Sequence, residues 1–293
     1  MIIYKSYISQ LVMGNAWSGN QQLPLDGLGF PGVTGSDVDI KASKRKLDHL
    51  LRANVTTFVP CDINYAITSA FYLGASAEKL TELYEKWADE ICVIRPDDDP
   101  IAASVGKFNL DEFIGEKKYE QRYYDYFRDC LSEYSRWSTI FSEHMNLFWN
   151  RLSLGAFRPL RELATALETG NDLVACRALA EACSEPAESK EQLLLPNPVK
   201  KDLSTEMRKI ARLAMKSNNE QAVINVQAAS EVFLSPTKWL KPEEIFAILE
   251  KLEQTINQGS EFRIVSPQEA LESGDYNLVM FTRSRLVLEK VMV

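Results

Sequence analysis

Histidine is almost missing from this sequence: His49 and His144 are the only two in 293 residues. That inventory excludes a multi-histidine metal centre. No Glu-x-x-His pair is present to set two ligands of a diiron bundle on one helix face, so no metal is expected. Cysteine is scarce too. The five, at positions 61, 92, 130, 176 and 183, form no CxxC and are odd in number, which argues against a zinc site and a complete disulfide framework and reads as reduced, mostly buried thiols. No apolar run nears the ~20 residues of a membrane helix, and residues 1–13 hold no unbroken apolar stretch of signal-peptide length, so a cytoplasmic chain with no membrane partner is expected. No block of Lys or Arg could track a phosphate backbone. With 33 basic against 41 acidic residues the net charge is −8, which argues against nucleic acid as a partner. A GxSxG elbow for a nucleophilic serine is also absent.

What remains is an ordinary globular composition, 45% apolar and 25% charged, with a strong helical period. Six of the thirteen glycines fall within positions 14–35, in a stretch without period, which reads as an irregular Gly-rich N-terminal arm over 1–40. Residues 41–293 read as a single helical domain, crossed at about 184–202 by a surface linker carrying Pro186, Pro196 and Pro198. Ile63, Ala66, Ile67, Ala70 and Phe71 share one helical stripe. Gly74 then permits the left-handed backbone that closes a helix, Ser76 can cap the next, and Leu80, Leu83, Tyr84 and Trp87 give the facing stripe. The two form a tight hairpin. Further stripes run through 119–134, 140–152 and 157–167, then 203–214 and 245–256. Ser266, Pro267 and Glu269 mark a helix start with a capping box, and the tail from Leu278 leans helical. The fold class expected is all-α, a multi-helix array of antiparallel hairpins.

Several motifs have a plainer reading beside the functional one. Residues 27–32 match GxGxxG, but Pro24 and Pro31 flank or interrupt it and no helix pattern follows before about Lys41, so the dinucleotide reading fails. Asp97, Asp98 and Asp99 would suit a magnesium–diphosphate site as in terpene synthases; Pro96 and Pro100 confine them to a loop, which makes this the third and faintest option. His144 lies on the apolar stripe beside Phe141, Leu147 and Phe148, where a packed core histidine is the plainer reading and an acid–base role the sharper one. Arg158 either pairs near a helix end or holds an anionic oxygen or phosphate. The aromatic wealth of 119–149 suits a flat-ring pocket and a packed core equally.

Two stretches carry a family resemblance. Asn64 and Tyr65 lead into Leu73, Gly74, Ala75, Ser76 and Leu80; later come Gly155, Ala156, Phe157, Arg158, Pro159 and Leu160, with Ala166, Leu167 and Glu168 beyond. In order and spacing this resembles the questin oxidase-like family, over roughly residues 47–171. Both histidines of the family pattern are replaced, one by Tyr65 and one by Arg158. The resemblance implies a largely helical oxidoreductase that uses NADPH and oxygen in a Baeyer–Villiger-like opening of an aromatic, polyketide-like substrate. It places Asn64 and Tyr65 at the pocket as hydrogen-bonding groups, with Arg158 orienting an oxyanion or phosphate. His144 is left as the one spare acid–base group. Loss of both histidines leaves a second expectation, a non-catalytic helical scaffold that binds a protein partner.

Overall fold

The computed structural model describes residues 37–57, 62–91, 105–107, 109–134, 136–187, 202–217, 219–233, 242–256 and 264–291. The Gly-rich stretch at 14–35, the Asp97, Asp98 and Asp99 loop, Cys61, Cys92 and most of the expected linker lie outside them. Among the described residues there are twelve α-helices and no strand, the all-helical fold that the periodicity predicts.

Helix α1 (Asp37–Thr57) starts the array and packs Leu47, Leu50 and Leu51 inward. Next comes the predicted hairpin, α2 (Ile63–Tyr72) and α3 (Ala77–Ile91). Its turn is built as the sequence requires: Gly74 takes φ +95°, open to it because it has no Cβ, and the Ser76 hydroxyl accepts the Lys79 amide at 3.2 Å. Trp87 on α3 is fully buried and donates its indole N–H to the Gly274 carbonyl at 2.8 Å, which ties the hairpin to the C-terminal helices.

The aromatic helices α4 (Glu120–Tyr134) and α5 (Trp137–Phe148) follow. Phe127, Phe141 and Phe148 meet with ring centroids 5.5 Å apart and no exposure, so this aromatic wealth forms core. Then α6 (Leu154–Thr169) closes at Gly170 and turns directly into α7 (Asp172–Ser184), whose first amides bond the Asn171 side chain. The remainder is α8 (Leu203–Lys216), α9 (Glu220–Phe233), α10 (Pro242–Thr255), α11 (Pro267–Ser273) and α12 (Tyr276–Val291). The capping box of α11 is formed as read from the sequence, and the tail is helix α12.

The centre is a ring of four helices, α2, α6, α9 and α12, each packed on the next, with α7 covering α6 from outside. Position in this ring explains the one feature of α2 that its stripe does not. Every residue from Ile63 to Ala70 is buried, polar ones included, because neighbours surround the helix. A helix buried all round must satisfy its polar groups inside the protein, and that requirement builds the two polar clusters described next.

Candidate functional site

The first cluster lies where α2 begins. Asp62 precedes that helix and takes a bidentate bond from Arg161 of α6, both contacts at 2.9 Å. Two residues on, Asn64 accepts from Asn54 of α1 at 2.8 Å and donates to Glu162 of α6 at 2.9 Å. Arg161 also donates to Asn225 of α9 and to the Ala156 carbonyl, each at 2.6 Å. The Ala156 contact matters because of the backbone there. Gly155, Ala156 and Phe157 hold φ of +54°, +54° and +65°, a single left-handed turn at the start of α6. Left-handed backbone costs roughly 1–2 kcal/mol per residue with a Cβ, and such strain concentrates at functional sites.

The turn delivers Arg158 over the end of α7. There Nη1 donates to Glu181 Oε1 at 3.2 Å; the Glu181 side chain is 0% exposed, Arg158 30%. Among the described residues Glu181 Oε2 accepts no hydrogen bond. Burial raises the Glu181 carboxyl, against the pull of Arg158 and Lys117, to about 8. Lys117, from the short helical turn Lys117–Tyr119, reaches Glu185 at 2.8 Å and Glu120 at 3.0 Å. Burial lowers Arg158, but Glu181, Asp62 and Glu185 outweigh it and raise the guanidinium, so it stays charged. A carboxyl that titrates near neutrality, held against a partly exposed cation, can give or take a proton and hold the oxyanion left behind.

The second cluster lies deeper in the ring. The Tyr65 hydroxyl donates to Gln227 of α9, which also receives Ser284 of α12 at 3.1 Å. Arg283 of α12 bonds both Glu168 and Glu231, the latter at 2.8 Å, and its guanidinium lies 4.7 Å from the Tyr72 ring centroid and 5.6 Å from that of Tyr65. Burial, Glu168 and, in the opposite sense, Arg283 leave the Glu231 carboxyl well above its ordinary range. Burial likewise raises the Tyr65 phenol, helped by Glu231, so it stays protonated.

The sequence-predicted residues therefore divide. Asn64 and Arg158 belong to one cluster, joined through Glu162, whose charge acts on Glu181. Tyr65 belongs to the other, and His144 to neither: its Nε2 lies 3.5 Å from the Tyr126 hydroxyl among Phe127 and Phe148, and burial lowers it. A cleft of about 420 Å³ runs along α4, lined by Tyr126, Cys130, Tyr134 and neighbouring charged residues, and none of the four predicted residues lines it. Glu181, Gln227, Glu231 and Arg283 were missed. Their one sequence signal is a lone charge or amide inside an apolar run, as with Glu181 in the Ala-rich stretch of α7.

The profile of the family described as questin oxidase-like matches residues 62–273, more than half of the chain. The chain belongs to the questin oxidase-like family. A search among curated proteins finds no match. The family match spans both motif stretches and both polar clusters except Asn54 of α1 and Arg283 and Ser284 of α12. Among the described residues no three His, Cys, Asp or Glu side chains converge as metal ligands, and no helix is long and apolar enough to cross a membrane. The reductant implied by this questin oxidase-like membership, NADPH, needs cations for its phosphates. The other cations beside the Arg158–Glu181 pair do not fit them: Lys117 is bonded to Glu120 and Glu185, Arg161 to Asp62, and Arg151 to the carbonyls of Ala182 and Glu185.

Proposed function

We propose that this member of the questin oxidase-like family is an oxidoreductase acting on an aromatic, polyketide-like substrate, with its acid–base chemistry at Glu181 and Arg158. The overall change is insertion of one oxygen atom of O2 beside a ring carbonyl. The other atom becomes water at the expense of NADPH and a proton. Glu181 accepts the proton of a substrate hydroxyl and returns it, while Arg158 holds the oxygen that it leaves charged. Asn64 and Arg161 act behind these two: Asn64 fixes Glu162, and Arg161 ties the left-handed turn to Asp62. NADPH supplies the electrons, and no step at Glu181 or Arg158 is routed through it.

One observation carries the reading: a fully buried carboxyl, raised to about 8, shares a partly exposed arginine at a strained turn. The test is consumption of NADPH and oxygen by the purified chain with a panel of hydroxyanthraquinones. Turnover is expected with at least one, and Glu181→Gln and Arg158→Ala are each expected to lower it by about 10²–10³, the usual worth of a positioned acid–base group. No turnover across the panel contradicts the proposal.

The closed surroundings of Tyr65 favour a second reading, a non-catalytic scaffold: its hydroxyl is bonded to Gln227 and its side chain is wholly buried. On that reading Arg158→Ala changes stability and leaves no activity to lose.

A further inference from the structure

The Arg158–Glu181 pair is built for an exchange of partners. Among the described residues Glu181 holds one bond on Oε1 and none on Oε2, and it is sealed from solvent, so it cannot ionise without its guanidinium. Arg158 is the member that reaches solvent, and the left-handed turn holding it above α7 is backbone that costs energy to keep. We propose that the solvent-reaching Arg158 binds a small organic oxyanion, a carboxylate or phenolate, which takes it from Glu181 while the freed Glu181 carboxylate takes up one proton from solvent. The inference rests on the reading of Arg158 as the holder of an oxyanion. The balance is simple: one ligand anion and one proton enter, and no bond of the ligand breaks. Charge is conserved at the pair, because the incoming anion replaces the carboxylate that the proton neutralises.

The other charges facing Glu181 push the same way or are occupied. Glu162 on α6 and Glu120 on α4 both favour the protonated carboxyl. Lys117 opposes them, but is held by Glu120 and Glu185. Asp62 and Glu185 keep Arg158 charged through the exchange.

Benzoate is the probe. Calorimetry of benzoate binding to the full chain, repeated in buffers of different ionisation heat, reads the protons taken up per ligand. Uptake near zero is expected at about pH 6, where Glu181 already carries its proton, and uptake approaching one at about pH 9. The Kd is expected to rise about tenfold per pH unit above about 8. Glu181→Gln keeps benzoate binding and loses both the uptake and the pH slope, whereas Arg158→Gln weakens binding at least about tenfold. Three results overturn the proposal: no benzoate binding by wild type, binding at about pH 9 without proton uptake, or an uptake unchanged in Glu181→Gln. Neither NADPH nor turnover enters this measurement, so a failure of the oxidoreductase reading and a failure of this one are seen separately.

Discussion

Glu181 owes its chemistry to the place where α7 meets α6, and very little to its sequence neighbours. Its side chain is sealed from solvent and is bonded by Arg158, so desolvation sets its behaviour and Arg158 merely moderates it. Its pH dependence has a definite sign. Below about 8 the carboxyl is protonated and cannot accept a proton; above it the carboxylate is available. With Glu181 as the base, kcat/KM is therefore expected to rise about tenfold per pH unit up to about 8 and then level off, a limb that Glu181→Gln removes. A flat profile through that range in wild type contradicts the assignment. His144 supplies no such limb, being packed among the rings of Phe127 and Phe148 and bonded to neither Glu181 nor Arg158.

Among the elements, α6 is where strain and function coincide. Ala156 is exposed and sits at φ +54° and ψ +40°, where glycine has no steric cost. Ala156→Gly is therefore expected to stabilise the protein by about 0.5–1 kcal/mol, the left-handed penalty less the extra freedom of unfolded glycine, read as a higher urea midpoint with unchanged slope. A lower midpoint means the turn is not strained as described. The helices differ in how legible they were. The hairpin of α2 and α3, the start of α11 and the aromatic helices could be read because each carries a stripe, a cap or a glycine stop in its own sequence. Helices α7 and α9 could not, because both are buried nearly all round and so show no polar face and no period. Those two hold Glu181, Gln227 and Glu231, which is why the sequence led to Asn64, Tyr65 and Arg158 and stopped short of their partners. The partner of Arg158 lies 23 residues on and that of Tyr65 lies 162 residues on, distances that local pattern does not span.

At the scale of the whole molecule, the four-helix ring of α2, α6, α9 and α12 is held by charge as well as by packing. Arg283 joins α12 to Glu168 of α6, Glu231 of α9 and Ser69 of α2. Glu231 keeps its proton in the folded state, while the unfolded chain releases it at the ordinary carboxylate value of 4.5. The folded form thus binds more protons, and this group's contribution to stability is lost as pH rises above about 4.5. Glu231→Gln carries no such loss, so its urea midpoint is expected to gain on that of wild type as pH rises above about 4.5; a gap that stays constant contradicts the buried, proton-holding state of Glu231. At the Arg158–Glu181 pair a buried, titrating carboxyl is bonded to a partly exposed cation. The central claim, that a questin oxidase-like fold has its acid–base site there, is tested most directly by oxygen and NADPH consumption with a hydroxyanthraquinone, wild type beside Glu181→Gln. The account predicts coupled consumption by wild type and a loss of about 10²–10³ in the variant; equal rates in the two proteins would contradict it.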